Sequence, residues 1–222
     1  MERTIRVTGK GKISVKPDTV RLRITQQSVE PTHEEAIRKS ADRKDKLTAV
    51  LMKLGFKKSD LKTLSFNIDT EYESYQAKDK SWKRRLEGYK FTHRMKLEFP
   101  ADNDLLGRVL AGLGRCPGAP EFSIEYTVAD TEAAKNELLG KAIEDAKAKA
   151  AVLAQAAGVS LQDIRLIDYS WGELDIVSRP VNDLALRACA PNASIEVDGI
   201  AMDIEADDID ITDTVTVVWG IG

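Results

Sequence analysis

Side chains that could act as acids, bases or nucleophiles are few and widely separated in this sequence. It has two histidines, His33 and His93, and two cysteines, Cys116 and Cys189. Catalysis by these residue types requires a nucleophile beside a base, or two carboxylates in one cleft. No pattern around His93 supplies such a partner. We therefore predict no catalytic residues and a protein that is not an enzyme.

Two roles remain open for His93, which lies on the apolar face of a long predicted strand. The favoured role is a hydrogen-bonded histidine in the core. The alternative is the general base of an uncharacterised hydrolase, working with a carboxylate. His33 lies beside a predicted helix start and is expected to be solvated.

The spacing of potential ligands argues against common cofactor sites. There is no CxxC or HxxxH pattern for zinc. Gly112 and Gly114 are followed by Arg115-Cys116-Pro117 rather than the Lys-Ser/Thr of a phosphate-binding loop. We predict no metal and no cofactor. For the cysteines, free buried thiols are favoured, and a Cys116–Cys189 disulfide is the alternative.

Acidic residues are concentrated near the end of the sequence, where residues 188–222 carry a charge of -8 and the rest of the chain +5. The spacing lacks the order of a calcium-binding EF-hand loop, so a solvated strand face is favoured over a calcium site. A docking surface is the other alternative. The acidic residues are Glu196, Asp198, Asp203, Glu205, Asp207, Asp208, Asp210 and Asp213.

A basic segment with one tryptophan lies between two predicted strands. It could bind nucleic acid, but a solvated hairpin tip has the same composition and is favoured. Our hypothesis is that this tip meets the acidic region of a neighbouring copy, so that assembly weakens with salt. The predicted oligomer contacts are Lys78, Lys80, Trp82, Lys83, Arg84, Arg85, Asp207, Asp208 and Asp210.

Overall composition points to a folded protein without a polyanionic partner. Of 222 residues, 42% are hydrophobic, and the net charge is -3 with a pI near 5.6. This balance lacks the positive field that nucleic-acid binding requires. No apolar run is long enough for a membrane span. As written, the sequence predicts a cytoplasmic protein; removal of a signal peptide would make it periplasmic or cell-envelope.

Hydrophobic periodicity predicts strands and helices together. Alternation predicts strands through residues 5–15, 20–29, 89–99 and 122–128. Three-to-four spacing predicts a helix over residues 32–54, with a capping box from Thr32 and Glu35 and an end at Gly55. Its predicted apolar face is Ile37, Ser40, Lys44, Leu47, Leu51 and Leu54. An alanine-rich helix over residues 131–157 is predicted to use Leu139, Ile143, Ala146, Ala150, Leu153 and Ala157. A shorter helix is predicted over residues 102–113.

Each long helix is preceded by a strand and leaves through a similar Gly…Asp…aliphatic segment, at residues 55–61 and 158–164. This predicts two related strand-helix-strand halves. We predict one domain over residues 1–222, with sub-lobes at 1–100 and 101–222. Gly9 and Gly11 interrupt the first alternation, which predicts a bulge or a close backbone approach.

Landmarks along almost the whole chain resemble the SIMPL-domain (YggE-like) family. They are VTGKG at 7–11, VKPD at 15–18, the helix end at Leu54-Gly55, DLKT at 60–63, EGY at 87–89, then Ala142, Ala146, Lys149 and Ala150, and VTVV at 215–218. The resemblance implies an α+β fold of curved antiparallel sheets packed on long helices. It also implies ring-like or channel-like homo-oligomers, oxidative-stress tolerance and a periplasmic or cell-surface location. It supplies no catalytic residues.

These observations predict a non-enzymatic, self-associating protein whose edge strands and long helices build a homo-oligomer. The alternative is a small-molecule or peptide binding module with a concavity between sheet and helices. A hydrolase using His93 ranks behind both.

Overall fold

The computed structural model describes residues 3–76, 80–117, 119–169, 176–179 and 206–222. The chain divides into two compact units made of interleaved segments. Unit 1 comprises residues 1–18, 127–178 and 206–222, and unit 2 comprises residues 19–126 and 179–205. Neither unit coincides with a contiguous half of the sequence. The predicted single domain with two related halves stays a prediction.

Unit 2 is built on an antiparallel sheet with two helices. Its elements are β2 (Thr19–Glu30), α1 (His33–Lys53), β3 (Lys62–Gln76), β4 (Trp82–Pro100), α2 (Asn103–Gly114) and β5 (Glu121–Thr127). Its strand order is β3-β4-β2-β5. Helix α1 packs against β2 and β4 and contacts α2. The largest fully buried side chains of this unit come from β2, β4 and the two helices.

Helix α1 follows the prediction closely. Thr32 is its N-cap, and the Thr32 Oγ1 accepts a hydrogen bond from the Glu35 backbone N–H at 3.2 Å. Gly55, just past the helix, has a left-handed φ of 99°, which favours glycine. One face residue was predicted wrongly: Ile37 is half exposed, and Ala36 is buried in its place. The small alanine fits against the sheet.

Unit 1 is a three-stranded antiparallel sheet covered by one long helix. Its elements are β1 (Thr4–Val15), α3 (Thr131–Ala156), β6 (Leu161–Asp168), the two-residue β7 (Val177–Ser178) and β8 (Ile209–Ile221). The sheet order is β1-β8-β6. Strands β1 and β8 pair without a register break from Thr4↔Gly220 to Val15↔Ile209. The bulge considered for β1 is therefore not present. Side chains from α3, β1 and β8 form two apolar clusters.

The glycines of β1 bring this strand directly against α3. A Cβ at Gly9 would lie 2.0 Å from the Ala142 carbonyl oxygen and 2.5 Å from the Ala146 nitrogen. A Cβ at Gly11 would lie 2.2 Å from the Leu138 carbonyl oxygen. Real side chains do not tolerate such distances to backbone atoms. The predicted close backbone approach is confirmed, and it explains why glycine occupies both positions.

The buried face of α3 differs from the predicted seam. Leu153 is half exposed, while Leu139 and Ile143 lie partly buried at the edge of the cluster. Helix α3 approaches the glycines of β1 closely, and only small side chains fit between the two backbones. The buried positions of α3 are therefore mostly alanines. The buried residues of α3 are Ala134, Leu138, Ala142, Ala146, Ala150 and Ala154.

The predicted fold class is confirmed: two antiparallel sheets are packed by helices, with α2 as a third, shorter helix. Within the described ranges, no helix is long and apolar enough to cross a membrane.

Candidate functional site

His93 lies inside unit 2, on β4 beneath α1. Its Nδ1 is 3.2 Å from Ser40 Oγ, and its Nε2 is 3.0 Å from Thr63 Oγ1. The ring is 6% exposed and meets the Phe66 ring edge-on at 5.3 Å. Both ring nitrogens therefore have hydroxyl partners. The predicted role as a hydrogen-bonded core histidine is confirmed.

The arrangement around His93 differs from the predicted hydrolase site. That hypothesis required a carboxylate to orient or activate the imidazole. In the described part of the chain, the hydroxyls of Ser40 and Thr63 occupy both nitrogens, and no carboxylate contacts the ring. Ser40 is itself only 3% exposed, so it is poorly placed to meet a substrate. His33 is exposed, as predicted, at the first position of α1.

The environment of His93 gives unit 2 a specific pH dependence. Burial, and then the nearby Lys44 charge, lower the pKa of His93 below its ordinary value of 6.5. The unfolded chain therefore binds a proton before the folded chain does as the pH falls. Stability is fully present above about pH 6.5 and declines as the pH drops through the folded pKa.

We expect His93→Gln to reduce the loss of stability on acidification below about pH 6.5. One linked proton changes the free energy of unfolding by at most about 1.4 kcal/mol per pH unit, which is the upper limit for the difference between the wild-type and variant slopes. Urea unfolding at a series of pH values measures it. Phe122→Ala, which removes a half-exposed ring and no titratable group, should keep the wild-type slope. Parallel curves for wild type and His93→Gln would contradict the assignment.

The outer end of the β3–β4 hairpin is exposed on both faces. We call residues 72–76 and 82–87 the hairpin arm; every one of them is exposed, and Trp82 reaches 73%. The arm is a two-stranded ribbon that pairs from Tyr72↔Leu86 to Gln76↔Trp82. It presents Tyr72, Tyr75, Trp82 and Leu86 to solvent. Among the strands that the structure describes, β3 is at the edge of its sheet, so in this part of the chain its outer backbone groups have no strand partner.

The basic residues of the arm are partly engaged by β3. The Arg84 guanidinium lies 4.8 Å from the Tyr72 ring centroid, and that of Arg85 lies 5.9 Å from Tyr75. Arg85 also forms a 2.6 Å ion pair with Glu73. These cross-strand contacts extend the hairpin. The prediction of a basic tip is corrected in one respect. The basic residues do not form the turn, because Trp82, Lys83, Arg84 and Arg85 lie within β4.

One further predicted contact residue, Lys80, lies between the two strands of the hairpin. Lys80 has a left-handed φ of 65°, and its carbonyl accepts a hydrogen bond from the Gln76 side chain. Lys78 lies outside the described residues. The predicted contacts did not include the tyrosines of β3, although Tyr72 and Tyr75 lie just before the basic segment in the sequence.

The predicted acidic contacts belong to unit 1. Asp207 and Asp208 are exposed immediately before β8. Asp210 is inside β8, where hydrogen bonds from Ser14 and then Lys12 lower the pKa of its carboxyl. Lys12 Nζ is 3.1 Å from Asp210. Asp207 and Asp208 therefore remain the better candidates for contacts with another molecule; Glu196, Asp198, Asp203 and Glu205 lie outside the described residues.

The remaining described residues that could bind a metal ion do not form a metal site. Cys116 is a free, buried thiol, and burial raises its pKa despite the Lys46 charge. Cys189 lies outside the described residues. Among the side chains that the structure describes, no three His, Cys, Asp or Glu residues converge to hold a metal ion.

A buried carboxylate in β5 has a structural explanation. Glu125 accepts a hydrogen bond from Arg23 at 2.8 Å and another from Arg179 at 2.9 Å. Burial acts to raise its pKa, but the two arginines outweigh burial and lower it. Glu125 is therefore a charged, paired residue within unit 2 rather than a proton donor.

Comparison with known proteins places the chain in a family. A family model described as SIMPL, a protein of unknown function (DUF541), matches residues 5–219. This chain is a SIMPL family member. The match spans both units of the SIMPL protein, including the hairpin arm and the glycine strand β1.

Other comparisons add little to the family assignment. A search of curated proteins finds no match for the SIMPL protein. Among solved structures, CutA from Synechococcus elongatus is similar over 58% of this chain and 95% of its own, with 17% identity and a TM-score of 0.21. At that TM-score the likeness carries no argument.

Proposed function

We propose that this SIMPL protein is a non-enzymatic, self-associating protein that uses the hairpin arm as its contact surface. The observation that supports this proposal is that the residues of the arm are exposed on both faces. An isolated two-stranded ribbon is marginally stable in water. Contact with a second copy would cover its aromatic side chains and stabilise it.

The composition of the arm suits a protein interface. Tyrosine, tryptophan and arginine are enriched in interface cores and among the residues that dominate binding energy. Tyr72, Tyr75, Trp82 and Arg84 supply these types on one short ribbon. The outer edge of β3, which pairs with no other described strand, adds backbone donors and acceptors that a strand of a second copy can meet.

Charge complementarity supports a second copy of the chain as the partner. The arm and its turn carry Lys80 and Lys83, while Asp207 and Asp208 are exposed in unit 1. Opposite charges on two copies steer association and fix its register. A role in oxidative-stress tolerance and a location in the cytoplasm or cell envelope stay predictions from the sequence.

The native mass of the protein in solution tests this proposal directly. We expect wild-type protein to form a discrete assembly in size-exclusion chromatography with light scattering, and the Trp82→Ser/Tyr75→Ser double variant to be monomeric at the same concentration. Loss of even one central aromatic contact costs about 2 kcal/mol or more, roughly thirtyfold in affinity. Circular dichroism should show both proteins folded.

Phe122→Ser provides the matched control, because it removes a half-exposed aromatic ring from β5 without touching the arm. It should assemble like wild type. Raising the salt concentration, or introducing Asp207→Asn/Asp208→Asn, should weaken assembly. A wild-type protein that is monomeric at high concentration would end the proposal; an assembly unaffected by the double variant would rule out the arm.

A further inference from the structure

A groove between α1 and α2 in unit 2 combines an apolar floor with a cationic rim. Its volume is about 420 Å³. The floor comes from two aliphatic side chains of α1 and two small residues of α2, and three cations stand around it. The lining residues are Val50, Lys53, Leu54, Arg108, Ala111, Gly112 and Arg115.

Helical periodicity brings these residues together. Positions 50, 53 and 54 lie on one face of the last turn of α1 and its cap. Positions 108, 111, 112 and 115 follow the spacing of a single face of α2 and its cap. The two helices contact each other. The groove therefore belongs to two packed elements of one compact unit rather than to a loop.

Gly112 leaves room in the floor of the groove. A Cβ at this position would lie 3.0 Å from Val50 Cγ1 and 3.4 Å from Leu54 Cδ1. Glycine in a helix interior lowers stability relative to alanine. Its presence in α2 keeps open a space that a methyl group would begin to fill.

The three cations lack anionic partners in the part of the chain that the structure describes. Arg108 Nε donates to the Asp104 backbone oxygen at 3.4 Å, while Lys53 and Arg115 have no salt bridge there. None of the described residues that line the groove is a carboxylate. Lys53 and Arg115 are near helix C-termini, whose partial charges amount to about half a negative charge each. Three full positive charges exceed those two partial charges, so the rim stays cationic.

We propose that this groove binds a small organic carboxylate with an apolar body. Arginine forks match the geometry of a carboxylate, and the apolar floor accommodates an aliphatic or aromatic body. The volume lies within the roughly 300–1,000 Å³ of small-molecule sites. The groove shares no residue with the hairpin arm, so the proposal is independent of self-association.

Three probes of equal chain length test whether the groove selects a carboxylate: octanoate, 1-octanol and octylammonium. We expect octanoate to bind saturably in isothermal titration calorimetry. It should shift backbone amide resonances of residues 50–54 and 108–115 in NMR spectra. Because the charge-assisted contacts are lost, 1-octanol should bind about tenfold more weakly. Octylammonium should not bind. Equal affinity for octanoate and 1-octanol would overturn recognition of the carboxylate.

Single substitutions test whether octanoate binds in the groove. Arg115→Gln should weaken octanoate binding about tenfold, whereas Lys16→Gln, the same charge change at an exposed position in unit 1, should leave it unchanged. Gly112→Ala should weaken binding while α2 keeps its helical structure, since alanine favours helix. Absence of saturable octanoate binding, or binding that neither groove variant weakens, would overturn the proposal.

Discussion

Replacing Gly9 with alanine is expected to lower the free energy of unfolding of unit 1 by about 3 kcal/mol or more. The added methyl group would lie 2.0 Å from the Ala142 carbonyl oxygen, and a helix backbone cannot move aside as a flexible side chain can. Strand β1 would have to separate from α3 along the alanine-lined contact. Both the sheet edge and the helix would lose buried surface.

Trp219 reports on this change because it lies 5% exposed in the same apolar cluster of unit 1. With Trp82→Phe and Trp171→Phe as background, it is the single remaining tryptophan of three. Urea unfolding followed by its fluorescence gives the stability. Gly140→Ala is the matched control: nothing lies within 4 Å of the added Cβ, so α3 should gain about 0.5–1 kcal/mol. Equal stabilities of Gly9→Ala and wild type would refute the close-contact account.

In unit 2, Phe91→Ala is expected to cost about 3–5 kcal/mol. Phe91 is fully buried on β4, where it pairs with Ser28 of β2 on one side and Ile68 of β3 on the other. The Arg43 guanidinium lies 5.7 Å from its ring centroid. Truncation would leave a cavity bounded on two sides by paired strands, which cannot close it easily.

Urea unfolding by circular dichroism measures this cost. Phe122→Ala is the comparison, because the Phe122 ring on β5 is 42% exposed and its removal should change stability by less than about 1 kcal/mol. If both variants lose similar stability, burial of Phe91 is not what holds the sheet together.

The sequence predicted best those elements whose signals are local. Thr32, Glu35 and Gly55 fix the ends of α1 through hydrogen bonds and a left-handed φ within a few residues, so its bounds were correct to one residue. The long alternation of β4 was equally clear, because its apolar side chains face one core. His93 was correctly placed in that core.

Other features depended on contacts that a local pattern does not contain. Leu153 looked like a core residue because leucine is apolar. The strand facing α3 instead carries glycines, and their close approach selects alanines. Strand β3 lacks clear alternation because its arm is exposed on both faces. Its pairing with β4, through Arg84, Arg85 and Glu73, moved the predicted tip residues into a strand.

The candidate sites likewise depended on contacts between residues that are distant in sequence. Asp210 and Arg85 were expected to contact a neighbouring copy, yet each has an ion-pair partner in its own chain, Lys12 and Glu73. The groove at Gly112 went unnoticed because its two sides are separated by a long stretch of sequence. A regular spacing of small and basic residues in α2 was the only local signal.

The pairing of β1 with β8 sets an order for folding during synthesis. The described strands and helices of unit 2 lie in residues 19–127 and emerge from the ribosome well before β8. At about 5–20 residues per second, synthesis of the remaining residues takes roughly 5–20 s. Throughout that interval, β1 lacks β8, which is its partner among the described strands. Until β8 is made, the apolar side chains and backbone groups of β1 are available for aggregation or for binding by a chaperone.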